Sequence, residues 1–202
     1  MKTIVILLLS FCFFAGGCSQ TAEEYFKRGE AKYNLKDYSG AIIDYNKAIE
    51  LNPKYAMAYN SRGSSKLDLG DDVGAMSDYN KAIELDPKYS DPYVNKGIIK
   101  SAFYDYVGAI EEYTKAIELD PYYAEAYYYR GLSKSKAADY YGAIEDFTET
   151  IELNPNYERA YYRRGKAKYK IGDKNGACLD WVKTGEVGVE GDASILLMLY
   201  CN

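Results

Sequence analysis

Pro53, Pro87, Pro121 and Pro155 stand 34 residues apart. A fixed period of that length describes an array of small supersecondary units, each unable to bury its apolar face without a neighbour. Aligned on these prolines, the chain divides into 22–55, 56–89, 90–123, 124–157 and 158–191, with no gap between segments. Position 4 of every unit is tyrosine: Tyr25, Tyr59, Tyr93, Tyr127 and Tyr161. Position 8 is glycine (Gly29, Gly63, Gly97, Gly131, Gly165) and position 20 is alanine (Ala41, Ala75, Ala109, Ala143, Ala177). Position 24 is aromatic throughout: Tyr45, Tyr79, Tyr113, Phe147 and Trp181.

Positions 4, 8 and 11 share one face of a first helix, and positions 20, 24, 27 and 28 share one face of a second, so each unit reads as a helical hairpin. Small residues at 8 and 20 let the helices approach, and the aromatics at 4 and 24 fill the remaining space. An aspartate at position 16 (Asp37, Asp71, Asp105, Asp139, Asp173) stands where it caps the second helix and complements its dipole. The proline at position 32 closes that helix. Pro92 is out of phase, and Asp91-Pro92 suits an N-cap followed by a first helical residue. Most of the 24 tyrosines recur at fixed positions and are read first as repeat core.

This pattern resembles the tetratricopeptide-repeat (TPR) family over residues 22–191. The resemblance implies an all-α, right-handed α-solenoid of five hairpins, with residues 192–202 as a C-terminal capping helix. The chain departs from the family at position 7, where Arg28, Arg62, Lys96, Arg130 and Arg164 stand in place of leucine. It departs again at position 11, with Lys32, Lys66, Lys100, Lys134 and Lys168. Two cations one turn apart repel unless compensated. Asp44, Asp78, Glu112, Asp146 and Asp180 recur at position 23, which predicts a ladder of ion pairs between the two helices of each unit. The competing reading is a basic stripe that binds a ligand. The fifth unit is degenerate, with Gly185 and Val189 at the usual apolar and proline positions, and Asp192 precedes the apolar run Ile195 to Leu199 that suits a cap.

Residues 1–17 read as an export signal: Lys2, an apolar stretch from Ile4 to Ala15, then small residues. The apolar run is short for a bilayer span. Ala15-Gly16-Gly17-Cys18 resembles the lipobox of bacterial lipoproteins, which implies a diacylated Cys18 followed by a short tether, residues 18–21. The anchor would hold the protein at the cell envelope, and Ser19 after the cysteine points to an outer membrane. The alternative is an ordinary signal peptide and a secreted or periplasmic soluble protein. Once Cys12 leaves with the signal and Cys18 is lipidated, Cys178 and Cys201 remain. In an oxidising compartment these form a disulfide if the cap returns antiparallel to the helix bearing Cys178, and otherwise stay as free thiols.

The formal net charge of −5 disfavours a general nucleic-acid binder, and the absence of histidine removes the commonest proton shuttle and metal ligand. No Gly-rich phosphate loop, nucleophile elbow or metal-ligand cluster appears, so no catalytic residue, metal or cofactor is assigned. The resemblance implies a concave groove lined by positions 2, 5, 6, 9 and 12 of the first helices. These are Glu23, Phe26, Lys27, Glu30 and Tyr33 in the first unit, and Arg159, Tyr162, Arg163, Lys166 and Tyr169 in the fifth. An acidic or carboxylate-terminated polypeptide is the expected partner, with Tyr128 and Tyr129 as aromatic anchors and Arg163 as its counter-charge. The family's carboxylate-clamp pattern is not carried over, because its Lys and Asn positions are Phe26 and Glu30 here. The rival roles are an envelope organiser working through the convex face and an accessory module of an enzyme.

Overall fold

A computed structural model describes residues 20–187 and 192–201. Residues 1–19, including the expected signal and Cys18, lie outside the described residues, as does Val189. The described residues form eleven helices and no strand. The hairpins are α1 (Ala22–Asn34) with α2 (Tyr38–Leu51), α3 (Ala56–Asp68) with α4 (Asp72–Leu85), and α5 (Asp91–Ala102) with α6 (Tyr106–Leu119). They continue with α7 (Ala124–Lys136) and α8 (Tyr140–Leu153), then α9 (Glu158–Lys170) and α10 (Lys174–Val187), and α11 (Asp192–Tyr200) follows as a single helix.

Local chemistry sets the helix ends. Thr21 and Glu24 form a reciprocal capping box on α1, satisfying two of the amides that a helix start leaves without partners. Asp37, Asp71, Asp105 and Asp139 cap the second helices by accepting the amides of Gly40, Gly74, Gly108 and Gly142, as the recurrence at position 16 predicts. Asp173 accepts the amide of Gly176 in the same way. The start of α5 differs from expectation by one residue. Ser90 occupies the cap position without a side-chain bond, and Asp91 and Pro92 are its first two helical residues. Proline is tolerated there because neither amide has an intrahelical acceptor.

Each second helix packs on the first helix of the next unit, so the hairpins stack in chain order. The first helices also touch one another in succession, α1 with α3, α3 with α5, α5 with α7 and α7 with α9. The second helices make no comparable contact among the described residues. First helices therefore lie on the inner side of a bowed stack.

The core is one motif repeated. The ring at position 24 is fully buried in every unit, contributing roughly 1.5–3 kcal/mol each by burial of a large apolar side chain. It lies on the glycine at position 8 of the paired helix. The tyrosines at position 4 play a shallower part than predicted. Tyr25, Tyr59 and Tyr127 are only partly buried, and they lie beneath the guanidiniums of Arg28, Arg62 and Arg130 at 4.7, 5.2 and 5.5 Å. A second set of tyrosines, at position 34, seals the joints between units. Tyr55 packs on Phe26 at 5.0 Å and Tyr157 on Tyr128 at 4.9 Å between ring centroids.

The ion-pair ladder is present in all five units. Asp44 pairs with Arg28 and with Lys32 at 2.8 Å, and Asp78 pairs with Arg62 at 2.6 Å and Lys66 at 2.8 Å. Glu112 pairs with Lys96 at 3.1 Å and Lys100 at 2.7 Å. Asp146 takes Arg130 and Lys134, and Asp180 takes Arg164 and Lys168, all within 2.9 Å. The four aspartates are buried, and two cations on each offset the cost of desolvating it. The cations at positions 7 and 11 are thus structural, and the basic-stripe alternative is set aside.

Four of the five units extend the ladder backwards. Nη1 of Arg28, Arg62, Arg130 and Arg164 donates to Gln20, Asn46, Thr114 and Thr148, at 3.0, 2.7, 3.2 and 3.1 Å. The planar guanidinium bonds its own carboxylate with one edge and the preceding segment with the other.

Candidate functional site

The inner face is built from the first helices, but not every position assigned to it from the sequence reaches solvent. Position 5 turns into the joints between units: Phe26, Asn60, Val94 and Tyr128 are all buried. Tyr128 is only 4% exposed and is enclosed by Phe147 and Tyr157. This corrects its assignment as a groove anchor, because the tyrosine closing the fourth unit needs a ring to pack on. Tyr129 is partly exposed and stacks on Tyr113 at 6.0 Å with 19° between the planes, so it presents an aromatic surface held in place from behind.

The fifth unit carries the cationic end of the face. Arg163 and Lys166 lie over the Tyr162 ring at 5.7 and 5.4 Å from its centroid. Arg159 is exposed on the same helix. None of these three cations has a carboxylate within ion-pair distance among the described residues, whereas all ten cations at positions 7 and 11 do. Tyr169 is corrected as a groove residue. It packs on Trp181 and on Tyr200 of α11, at 6.0 and 4.7 Å, and belongs to the cap.

The cap sits where a following unit would. Leu196, Leu197 and Cys201 pack on the buried pair Ala177 and Trp181. The sulfurs of Cys178 and Cys201 lie 2.00 Å apart as a disulfide, joining α10 to the end of α11. The antiparallel return expected of the cap brings the two cysteines together.

The opposite end of the inner face is acidic and hydroxyl-rich. A cavity of about 360 Å3 opens between α1 and α3, lined by Glu30, Tyr33, Asn34, Tyr45, Ser61 and Ser64. Burial chiefly, with the Glu30 charge adding, pushes the Tyr45 phenol up to about 12. Burial chiefly, with the nearby Asp68 carboxylate adding, also raises the Tyr33 phenol, and both phenols therefore stay neutral at physiological pH. Beyond it, Asn95 Nδ2 donates to Asn60 Oδ1 at 3.0 Å, and Asn60 Nδ2 to the Tyr89 hydroxyl at 3.1 Å. Sequence reasoning missed both features. The available signal was Asn60 itself, the one polar residue at a position otherwise filled by Phe26, Val94, Tyr128 and Tyr162.

The family described as TPR repeat matches residues 29–70 and 105–136, and that described as tetratricopeptide repeat matches residues 56–89. No curated protein matches the chain. Among solved structures, MamA is 28% identical, covering 79% of this chain and 93% of its own, with a TM-score of 0.70. PilF of Pseudomonas aeruginosa is 21% identical, covering 87% and 80%, with a TM-score of 0.80. YrrB, described as a TPR protein with an unusual peptide-binding site, is 19% identical, covering 88% and 91%, with a TM-score of 0.69. The period, the hairpin stack and the matching families together make this chain a member of the tetratricopeptide-repeat family.

Proposed function

We propose that the protein is a non-catalytic adaptor at the bacterial cell envelope that holds an acidic polypeptide segment in its concave groove. The observation that carries this reading is the contrast between the two sets of cations. The fold neutralises every lysine and arginine at positions 7 and 11, yet Arg159, Arg163 and Lys166 have no carboxylate partner among the described residues. Cations without a carboxylate partner, beside the partly buried Tyr162 ring that packs on Ala177 and Trp181, suit charge-assisted bonds to a partner's carboxylates. YrrB supports a peptide ligand in so far as the same fold carries a peptide-binding site there.

The envelope assignment rests on the sequence of residues 1–18, which carries the signal and lipobox resemblance. In this reading the anchor is lipid on Cys18; among the described residues no helix is long and apolar enough to cross a membrane. Incorporation of labelled palmitate by the native chain and its loss in Cys18→Ala would establish the anchor. Label retained by the variant, or absent from both, would refute it.

Photocrosslinking tests the groove. A crosslinker at Tyr162 is expected to capture a partner, and capture should be lost on adding Arg163→Glu and Lys166→Glu. Capture only from Ile43, exposed on the second helix of the first unit, would instead support the convex-face organiser.

A further inference from the structure

The two ends of the groove differ in charge, and the acidic end has a built cavity. Glu30 lines it, and the Asp68 carboxylate lies close enough to Tyr33, another lining residue, to help raise its phenol after burial. Neither carboxylate has a cation within ion-pair distance among the described residues, although neighbouring Glu23 is paired with Lys27 at 2.9 Å. The walls add hydroxyls. Tyr45 and Ser61 face the cavity, and Ser64 Oγ accepts from Tyr79 at 3.3 Å. The corresponding rings in the fourth and fifth units are Phe147 and Trp181, which carry no hydroxyl. The site thus offers the Glu30 carboxylate, with that of Asp68 nearby, and several neutral oxygens, all able to accept hydrogen bonds.

We infer that the cavity between α1 and α3 receives a lysine or arginine side chain of the polypeptide bound in the groove, with Glu30 and Asp68 as its counter-charges. A long basic side chain fits this site for two reasons. Its aliphatic stem can lie along the partly exposed Tyr33 ring, and its head carries only donors, matching a wall of acceptors. An acidic or apolar side chain would leave both carboxylates uncompensated. The inference rests on the groove reading above and extends it: the ligand has a basic end at the first unit and an acidic end at the fifth, so it binds in one direction only.

The test is to pan a random peptide display library on the full chain and on two double variants, Glu30→Gln with Asp68→Asn and Arg163→Gln with Lys166→Gln. Glu30, Asp68 and Lys166 are exposed and Arg163 partly so, and all four lie outside the core, so these changes spare the packing. Circular dichroism melts check this, and Glu30→Gln alone serves if the first pair unfolds. The native chain should enrich peptides with Lys or Arg towards one end and Asp or Glu towards the other. In fluorescence anisotropy with the best such peptide, replacing its basic residue by norleucine should weaken binding roughly tenfold, the scale of one lost charge-assisted hydrogen bond. That penalty should vanish in the Glu30→Gln, Asp68→Asn protein and persist in the Arg163→Gln, Lys166→Gln protein. Enriched peptides without a basic end, or an unchanged norleucine penalty in the carboxylate variant, would overturn the inference and leave the adaptor reading standing. No enrichment by the native chain would refute both.

Discussion

Gly63 and Tyr79 stand so close that a Cβ built on the glycine would lie 2.7 Å from Cε1 of the tyrosine ring. The same approach recurs in the other units, between Gly29 and Tyr45, Gly97 and Tyr113, Gly131 and Phe147, and Gly165 and Trp181. Glycine at position 8 is therefore a packing requirement, set by the ring sixteen residues later.

Gly63→Ala should destabilise the protein despite alanine's better helix propensity. Overpacking a tight core costs about 1–3 kcal/mol, against a gain of about 1 kcal/mol from the helix. A double-mutant cycle with Tyr79→Leu checks the cause. The penalty should shrink when the ring is gone, and equal penalties in both backgrounds would disprove the contact.

Lys96 marks the weakest joint of the stack. It pairs with Glu112 at 3.1 Å, but it has no counterpart to the arginine bond that reaches the preceding segment elsewhere. Asn80 is the residue such a bond would meet, and a cleft lined by Val73, Met76, Asn80, Ile99 and Phe103 opens there. Replacing Lys96→Arg together with Glu112→Asp should restore the fork seen in the other units. Chemical denaturation is expected to show a gain of about 1 kcal/mol, the net worth of one hydrogen bond. Asn80→Ala in that background should remove it.

Acid should weaken the first unit through Asp44. The Arg28 hydrogen bond, with Lys32 adding and burial opposing, holds the Asp44 carboxyl below its ordinary value. A carboxyl lowered on folding stabilises the native state above the unfolded value of about 3.9, and that contribution fades as pH falls through the lower folded value. Melting temperatures of the native chain and Asp44→Asn should therefore differ by a constant amount from pH 7 to pH 5, and converge below about pH 4. A gap that survived further acidification would rule this out.

Reduction should release the cap. The disulfide closes a loop with a sequence separation of 23, worth on the order of 3 kcal/mol by chain entropy. Trp181 is the sole tryptophan and lies beneath α11 with Tyr200 at 6.3 Å, so its emission reports the cap directly. Dithiothreitol, or Cys178→Ser with Cys201→Ser, should shift that emission to longer wavelength and lower the melting temperature. Emission that ignored both treatments would show that the cap holds without its crosslink.

The period, the helix pairs, the aspartate caps and the ion-pair ladder were all legible in the sequence, because each depends on residues at fixed separations within one hairpin. Short range makes spacing sufficient: once positions 7, 11 and 23 lie on facing helices, a cation and a carboxylate have only each other to meet. The groove was legible only in part, since its surface is set by contacts between units. Tyr128 and Tyr162 share position 5, yet Tyr128 is enclosed by Tyr157 from the following joint while Tyr162 stays partly exposed with Arg163 and Lys166 over its ring. The cavity at Glu30 likewise draws its walls from α1, α2 and α3, and no local pattern announces it. Spacing along the chain determined which residues share a helix face. Only the stacking of one hairpin on the next decided which of those faces meets water.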